Sequence, residues 1–532
     1  MTYAPESSRT PVLSDRFSRR GVLQTGGAAL AVSAVAALTR PALAAQRGGA
    51  TPEAALALDP GTLDTFISDA VKRFGVPGAA VAVVQDGRPV LIQGYGVREL
   101  GGDAPVDADT VFQLASNTKP MTAFTLGTLV DEDLVDWDTP ISEVLPELQL
   151  WDPYPTRWLT VRDVLAHRSG FPAFGGDLLG QIGYDRAEML RRLRYVPPAS
   201  SFRDVAAYSN LGFFIAGEVI ARLTGSPWEV AMRERLLGPM GMSRSVPAFA
   251  DRSPDGNVSA NHGIVKGQLQ TVEADDHSVI GAAGSAMSTA NDLARWMQML
   301  LDGGQVDARQ LLPSETVRGM LRPSMVAEIS FAEMAPIDAD SGFSYGLGWG
   351  NFHFHGYEVL EKGGALAGVR SIVCFVPRLN AGVAVVANRN LTALPEAVRG
   401  FVLEQLLGQA ETDVQREIEE AGVAVAALFA AVPSLPEHPV PPSVPLEALA
   451  GVYENSLYAE FRIIVDGDAI RLEAGPNRRP ATLQHVDHNT FLLDWNEVTL
   501  IPSETTFVIG PDGVAVEFEN EVLGPFERVA DA

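Results

Sequence analysis

The segment FQLASNTKPMTAFTLGTLV, Phe112–Val130, contains the residues on which the interpretation of the whole chain depends. It begins like a capped helix with an apolar middle, and Ser116 and Lys119 stand three residues apart near its start. Side chains at that spacing lie on one face of a helix and can touch. Two interpretations follow. Either Ser116 caps the helix and Lys119 is a solvated charge, or a neutral Lys119 amine takes the proton of Ser116 and makes it a nucleophile.

Lysine usage favours the second interpretation. The chain has 40 basic residues, and only Lys72, Lys119, Lys266 and Lys362 among them are lysine. Arginine stays protonated in proteins and cannot act as a base. Because this chain uses arginine almost wherever a positive charge is needed, a lysine is expected to be kept for its titratable amine.

Two further motifs follow in order along the chain. AAYSNLGF contains Tyr208-Ser209-Asn210, and LEKGGALAG contains Lys362-Gly363-Gly364. With SxxK, YxN and KxG in this order, the sequence resembles the superfamily of serine β-lactamases and penicillin-binding proteins. The resemblance extends over about residues 62–410. The segments similar to the class C-like branch, which includes D-aminopeptidases and esterases, are LTVRDVLAHRSGF (159–171), LLGPMGMSRS (236–245) and GAAGSAMSTANDLARW (281–296).

The resemblance implies a role for each motif residue. Ser116 is the acylated nucleophile, and Lys119 is its proton partner. Tyr208 acts as general base or relay, which requires neighbouring positive charges to lower its pKa well below about 10. Asn210 hydrogen-bonds the substrate amide or Lys119. Lys362, on an edge strand, supplies positive potential near Tyr208 and a substrate carboxylate.

The resemblance also implies how a substrate lies along the strand that carries Lys362. Gly363 and Gly364 have no side chains, so a substrate backbone can approach that strand closely. The backbone N–H groups of Ser116 and Ala365 form the oxyanion hole. The sequence departs from the β-lactamases at Gly363, because those enzymes carry Lys-Thr-Gly and their hydroxyl helps to hold a substrate carboxylate. Efficient β-lactam hydrolysis is therefore not expected.

The order of predicted elements indicates an α+β fold. Two apolar runs around Asp86-Gly87 predict a hairpin, residues 109–242 have a mainly helical pattern, and strand-like runs return in residues 357–390. We therefore expect helices packed on a mostly antiparallel sheet, plus an all-helical subdomain. Cys374 is expected to be a buried strand residue, and as the one cysteine of the chain it cannot form an intramolecular disulfide.

The C-terminal part is predicted to be a separate domain. Six of the thirteen residues from Pro433 to Pro445 are proline, which indicates a semi-rigid linker. Short alternating segments with turns at Asp466-Gly467 and Asp512-Gly513 then predict a small all-β barrel or sandwich, and this part resembles a lipocalin-like domain. The predicted domains are a β-lactamase-like hydrolase domain over 45–430, a linker over 431–445 and the β domain over 446–532.

The N-terminus has the pattern of an export signal. Arg19 and Arg20 precede the apolar run GGAALAVSAVAAL (26–38), and Ala42-Leu43-Ala44 offers small residues for cleavage. The paired arginines resemble a twin-arginine signal of a bacterium. We expect residues 1–44 to be removed and the mature protein to be periplasmic or secreted, without a stable membrane anchor.

Composition excludes some classes of partner. A net charge of −26 argues against nucleic acid, because phosphate binding needs a basic face. No cofactor is expected. His353 and His355 alternate and could share one side of a strand, but no third ligand is identifiable, so no metal site is predicted.

His167 is expected to pack near the site without acting chemically, and residues 275–277 are expected to form a solvated loop.

Together these features predict an exported serine hydrolase that forms an acyl-enzyme on Ser116. A peptidase or amidase on small peptides with D- or unusual residues, including linearised cyclic peptides, is favoured. A carboxylesterase is the next alternative, followed by a β-lactamase or D-Ala-D-Ala carboxypeptidase. A catalytically silent binding or assembly protein of the same fold, and a homo-oligomer, remain open from the sequence.

Overall fold

The computed structural model describes residues 55–265, 267–327, 342–408, 414–430, 436–496 and 502–531. The predicted signal over 1–44 lies outside these residues, as does the 431–435 part of the predicted linker. Within the described ranges the chain forms a mixed helix-and-sheet unit followed by a closed β-barrel. This confirms the predicted fold class.

An antiparallel sheet of eight strands forms the centre of the first unit, with spatial order β2-β1-β8-β7-β6-β5-β4-β3. These strands are β1 (Gly78–Gln85), β2 (Arg88–Gly96), β3 (Met325–Ala327), β4 (Phe343–Tyr345), β5 (Gly350–Phe354), β6 (Tyr357–Leu366), β7 (Val369–Val376) and β8 (Ala381–Ala387). β1 and β2 form the predicted hairpin around Asp86-Gly87. Cys374 is buried in β7, as expected.

Both faces of the sheet are covered, which explains why β1 (GAAVAVVQ) is buried at every position. Ala80, Ala82 and Val84 join one hydrophobic core, and the alternating Ala79, Val81 and Val83 join the other. The helices Pro60–Arg73 and Leu394–Leu407 pack on one face, and the helix Ala290–Leu301 packs on the other. The small and β-branched side chains of β1 allow this close packing on both sides.

The helical subdomain lies between Thr118 and Gly284 and is centred on the helix Thr118–Asp131, which is buried on nearly all sides. It is not entirely helical as predicted, because the strands Asn261–Val265 and Gln268–Val272 form a hairpin within it. Its other α-helices are Ile141–Val144, Pro153–Trp158, Val161–Leu165, Leu178–Gln181, Arg186–Arg192, Asn210–Thr224, Trp228–Met232, Gly238–Met240 and Gly281–Gly284. Helices elsewhere in the described chain include Ser314–Leu321 and Val414–Ala430.

The C-terminal part is a closed barrel of eight antiparallel strands in meander order. Its strands are β9 (Gly451–Asn455), β10 (Ala459–Asp466), β11 (Ala469–Ala474), β12 (Arg479–Asp487), β13 (Thr490–Asp494), β14 (Ser503–Ile509), β15 (Ala515–Asn520) and β16 (Gly524–Ala530). Closure between β9 and β16 leaves no sheet edge. Its interior is filled by packed aromatic rings that include Tyr453, Phe461, Phe507, Phe518 and Phe526.

Two turns of the barrel dock on the helical subdomain. At the first, the Tyr184 hydroxyl donates to the Tyr458 carbonyl (3.1 Å), and Arg192 Nη1 donates to the carbonyls of residues 456 and 457 (3.2 and 2.9 Å). At the second, the Asn477 N–H donates to the Ile182 carbonyl (3.2 Å). The barrel is thus bound to the segment that leads from residue 177 to residue 192. Across the described residues, no helix combines the length and apolarity that crossing a membrane requires.

Candidate active site

Ser116 lies in a single 3₁₀ turn, Ala115–Asn117, that leads directly into the helix Thr118–Asp131. The turn begins at Ala115 with φ of 50°, a left-handed conformation that is unfavourable for a residue with a side chain. Thr118 Oγ1 donates to the Ala115 carbonyl (2.7 Å) and helps to hold this conformation. The Ser116 hydroxyl is thus placed at the start of a buried helix.

Lys119, one helical turn further, is fully buried. Its Nζ lies 3.0 Å from Ser116 Oγ, 2.7 Å from Asn210 Oδ1 and 2.8 Å from the Ala283 carbonyl oxygen. The interpretation of Lys119 as a solvated surface charge is therefore wrong. The amine is held in hydrogen-bonding contact with the candidate nucleophile, at a distance that allows proton transfer.

Tyr208 reaches Ser116 from a different part of the chain, immediately before the helix Asn210–Thr224. Its hydroxyl donates to Ser116 Oγ at 2.6 Å. The centre of its ring lies 4.8 Å from Lys119 Nζ and 4.7 Å from Lys362 Nζ. One amine, that of Lys119, and the Tyr208 phenol therefore contact the Ser116 hydroxyl, and the Lys362 amine lies against the phenol ring. Positive charge beside a phenol favours its anion.

Lys362 is buried on β6, and its Nζ donates to the Tyr345 hydroxyl (2.8 Å). The expectation that Lys362 lies on an edge strand is wrong for the strand as a whole, because β6 runs between β5 and β7. Among the described residues, however, pairing with β5 ends at Glu361, so the stretch from Lys362 to Leu366 pairs on the β7 side. That stretch is the part of β6 that passes Ser116.

A buried ion pair fixes β6 next to Lys362. Glu361 Oε2 accepts from Arg399 Nη1 at 2.6 Å, and Arg399 is fully buried in the helix Leu394–Leu407. Removing one partner of such a pair leaves an uncompensated buried charge, which is strongly destabilising. The pair therefore resists displacement of β6 relative to the helix behind the sheet.

Gly364 shows how closely β6 approaches the turn that carries Ser116. A Cβ atom on this residue would lie 2.4 Å from the Leu114 carbonyl oxygen, 2.5 Å from Ser371 Oγ and 3.0 Å from the Ser116 nitrogen. The missing side chain of Gly364 therefore makes room for neighbouring atoms of the protein itself. The sequence analysis had predicted that this room serves the approach of a substrate backbone. Gly363 and Ala365 flank this contact on the same strand, opposite Ile372 and Arg370.

His167 lies behind Tyr208. The Ser209 N–H donates to its Nδ1 (3.1 Å), and its ring packs on those of Tyr208 and Tyr345, with centroids 4.5 and 4.6 Å away. Burial, together with the charges of Lys362 and Lys119, lowers the pKa of His167 well below its ordinary value. His167 is thus a neutral imidazole that supports the two phenols, in agreement with its expected packing role.

Asn210 bridges Lys119 and a carboxylate that sequence analysis missed. While its Oδ1 accepts from Lys119, its Nδ2 donates to Asp177 Oδ2 at 2.6 Å. Burial raises the pKa of Asp177 to about 6, in spite of the opposing effects of Asn210, Lys119 and His277. Asn210 thus lies against Lys119, one of the two alternatives that the resemblance implied.

The segment 275–277 is a loop, as expected, and Asp276 is exposed to solvent, whereas Asp275 and His277 are partly buried. Asp275 Oδ2 accepts from the Ala367 N–H (2.9 Å), and the Asp275 carbonyl accepts from Gln113 Nε2 (2.8 Å). His277 lies 3.5 Å from the same carboxylate. Because Ala367 follows the end of β6, this segment fixes the strand beyond Ala365.

His353 and His355 do not share a strand face. His353 is exposed in β5, whereas His355 lies in the following turn with φ of 49°. Across the described ranges, no three or more His, Cys, Asp or Glu residues are grouped as metal ligands would be.

Sequence reasoning found the residues that belong to motifs and missed two that contact them. Tyr345 precedes Lys362 by 17 positions, and Asp177 precedes Asn210 by 33 positions. Neither has a characteristic spacing to the motif residue that it contacts. The one available signal for Asp177 was its position shortly after the AHRSGF segment.

Comparison with known proteins identifies the family. The family described as Beta-lactamase matches residues 63–407, which is more than half of the chain, and a domain of unknown function (DUF3471) matches residues 435–527. The protein named Unguisins hydrolase ungD of Aspergillus violaceofuscus is 26% identical over 495 residues, which cover 85% of this chain and 86% of that protein.

Solved structures show the same fold. The octameric penicillin-binding protein homologue from Pyrococcus abyssi has a TM-score of 0.56 at 20% identity, covering 88% of this chain and 100% of the other. A D-stereospecific amidohydrolase from Streptomyces sp. has a TM-score of 0.53 at 23% identity, covering 66% and 99%. With the family match and the SxxK, YxN and KxG residues gathered around Ser116, the chain belongs to the Beta-lactamase family of serine hydrolases.

Proposed function

We propose that the protein hydrolyses amide bonds of small peptides that contain D- or otherwise unusual residues, through an acyl-enzyme on Ser116. The single observation that carries the chemistry is the convergence of Lys119 Nζ and the Tyr208 hydroxyl on Ser116 Oγ, at 3.0 and 2.6 Å. The substrate class is supported by the names of similar proteins, an unguisins hydrolase and a D-stereospecific amidohydrolase.

In the proposed reaction, the Ser116 proton passes to one of its two neighbours, the Tyr208 phenolate or the neutral Lys119 amine, while Oγ attacks the substrate carbonyl. The tetrahedral oxyanion is bound by the N–H groups of Ser116 and Ala365. The C–N bond then breaks, the amine leaves with the proton that Ser116 gave up, and an ester on Ser116 remains. Water, deprotonated by the same groups, attacks the ester and releases a carboxylic acid and the free hydroxyl.

A panel of substrates tests the proposal. The mature protein is given p-nitroanilides of D- and L-amino acids, a p-nitrophenyl ester and nitrocefin in parallel. Turnover of the D-anilides, with slow or undetectable turnover of nitrocefin, is the expected result. Turnover of the ester without turnover of any amide would establish the carboxylesterase alternative instead. Full activity in Ser116→Ala would contradict the proposed acyl-enzyme.

We also propose that the protein is exported, on the basis of the Arg19-Arg20 pair and the small residues at 42–44. N-terminal sequencing of the protein recovered from a bacterial periplasm should begin near Ala45. Replacement of both arginines by lysine should leave the uncut precursor in the cytoplasm, whereas undiminished export would contradict a twin-arginine route.

A further inference from the structure

Asp177 belongs to none of the sequence motifs, yet a chain of hydrogen bonds joins it to the nucleophile. Asp177 Oδ2 accepts from Asn210 Nδ2 (2.6 Å), Asn210 Oδ1 accepts from Lys119 Nζ (2.7 Å), and Lys119 Nζ lies 3.0 Å from Ser116 Oγ. Two of these residues, Lys119 and Asn210, lie on separate helices that cross within the subdomain. Asp177 precedes a third, the short helix Leu178–Gln181.

The carboxylate determines which way the Asn210 amide faces. In the opposite orientation, the NH₂ group of Asn210 would meet the Lys119 amine, donor against donor. Its carbonyl would then meet the carboxylate oxygens of Asp177, acceptor against acceptor. With Asp177 in place, only the orientation that offers an oxygen to Lys119 satisfies both neighbours.

Asp177 is also kept away from bulk water on one side. Its Oδ1 is buried and accepts no hydrogen bond from the described residues. The titratable groups that face it are Lys119 from the central helix, His277 from the loop 275–277, and Tyr458 from the barrel turn. A carboxylate in such surroundings is costly for folding, so a catalytic benefit would explain its presence.

We propose that Asp177 is a positioning residue for Lys119. It holds the Asn210 amide in the orientation that receives the lysine, and its negative charge sets the pH at which the Ser116 hydroxyl becomes reactive. The inference rests on the proposed acyl-enzyme function and adds a residue to it. Asp177 acts on Ser116 through Asn210 and Lys119.

Two substitutions separate the charge of Asp177 from its hydrogen bond. Asp177→Asn keeps an oxygen that can accept from Asn210 but removes the charge. Without a negative charge nearby, both Lys119 and Tyr208 lose their protons more easily. The pH midpoint for activation of Ser116 is therefore expected to fall by about one pH unit. Asp177→Ala removes the acceptor as well and frees the Asn210 amide to rotate, so the maximal rate is expected to fall roughly tenfold.

The test measures the rate at which a fluorophosphonate labels Ser116 in the full chain between pH 5 and pH 9, followed by mass spectrometry. The matched control is Asp185→Asn, an exposed carboxylate that caps the next helix and accepts from the Glu188 N–H. Its profile should superimpose on that of the unaltered protein. Thermal unfolding at pH 8 supplies a second readout, since Asp177→Asn should raise the melting temperature by removing a buried charge.

The outcomes distinguish this inference from the proposed function. If the unaltered protein is not labelled on Ser116 at any pH, the acyl-enzyme function fails. If it is labelled and Asp177→Asn has the same pH midpoint, the positioning role of the charge is overturned while the function stands. Should Asp177→Ala fail to fold, the isosteric Asp177→Asn variant decides the question alone. A lower midpoint together with a higher melting temperature supports the inference.

Discussion

At the scale of single residues, Lys119 is the group whose chemistry the site most depends on. Its amine is fully buried and touches Ser116, whereas Lys72 is a surface lysine whose side chain is 75% exposed. Lys119→Met keeps the length of the side chain but removes the proton acceptor. The kcat/KM for a p-nitrophenyl ester is expected to fall by about three orders of magnitude.

Lys72→Met is the matched control for that measurement, because it removes the same chemical group from the surface. It should leave kcat/KM unchanged. If Lys119→Met retained a tenth of the activity or more, Lys119 would not be the proton partner of Ser116.

His167 is expected to make the folded state sensitive to acid. Its pKa in the folded protein is far below the unfolded value of about 6.5. Above pH 6.5 the residue is neutral in both states and has no effect. Below that pH the unfolded chain binds a proton that the folded chain does not, so the free energy of unfolding falls by about 1.4 kcal/mol per pH unit.

The measurement is urea unfolding at pH 7.5, 6.0 and 5.0 for the unaltered protein and for His167→Asn, whose side-chain oxygen can accept from the Ser209 N–H. The variant should lose less stability on acidification. Asp177 acts in the opposite direction, since its pKa is raised to about 6 and its folded form gains a proton on acidification. Because both proteins retain Asp177, its contribution cancels in the comparison. Equal losses in the two proteins would show that His167 is not buried as a neutral group.

At the scale of secondary-structure elements, β6 must lie directly against the turn that carries Ser116. Gly364→Ala would place a methyl group 2.4 Å from the Leu114 carbonyl oxygen and 2.5 Å from Ser371 Oγ, both on fixed parts of the structure. The strand has to move, at a cost of about 1–3 kcal/mol. We expect both a lower melting temperature and a loss of esterase activity of at least tenfold.

Gly319→Ala is the control for the strand, because nothing lies within 4 Å of the added methyl group in the helix Ser314–Leu321. It should be neutral or slightly stabilising, since alanine favours helix more than glycine does. Full activity in Gly364→Ala would mean that contact between β6 and the nucleophile turn is not required.

The elements that the sequence predicted well are those with local periodicity. The hairpin around Asp86-Gly87, the helix after Ser116 and the alternating strands of the barrel all follow from patterns within about twenty residues. Local periodicity does not determine the order in which the strands are hydrogen-bonded in the sheet. The edge-strand expectation for Lys362 was wrong because β5, which covers the first half of β6, pairs through a short turn near His355.

The sequence predicted those residues of the candidate site that belong to the SxxK, YxN and KxG motifs. The motif residues lie together in the structure; they are Ser116, Lys119, Tyr208, Asn210 and Lys362. Their supports, Tyr345 for Lys362 and Asp177 for Asn210, come from distant segments without a recurring spacing. Such contacts depend on tertiary packing, which a single sequence does not encode in a local pattern.

At the scale of the whole molecule, the barrel is joined to the catalytic unit next to the site. Arg192 is buried beneath the turn 456–458 and stacks on Tyr184, with its guanidinium 4.2 Å from the ring centre. Arg192→Ala removes its two hydrogen bonds to the barrel, its ion pair with Glu188 and this packing. Hydrogen exchange measured by mass spectrometry should become faster in peptides that cover 455–462 and 475–479.

Arg194→Ala is the control for the docking of the barrel. Arg194 follows in the same helical region but is directed at its own helix, where Nε donates to the Arg191 carbonyl (2.9 Å). Exchange in the barrel turns should be unchanged in this variant. If Arg192→Ala left the exchange unchanged too, the docking of the barrel would not depend on these contacts.

The docked barrel turn also brings Tyr458 against Asp177, so the C-terminal unit contributes to the surroundings of the site. Burial beside that carboxyl raises the pKa of the Tyr458 phenol. Nothing in the sequence of the barrel distinguishes this turn from the others, because its partner residues lie more than 250 positions earlier. The barrel could be predicted as a fold but its place on the molecule could not.

The central claim is that the buried Lys119 amine and the Tyr208 phenol make the Ser116 hydroxyl the nucleophile. Its most direct test is to mix the protein with a p-nitrophenyl ester, quench in acid within milliseconds and digest for peptide mapping by mass spectrometry. The claim requires the substrate's acyl group on the peptide that contains Ser116, and no adduct in Ser116→Ala. An adduct on another residue, or full hydrolysis by Ser116→Ala, would contradict it.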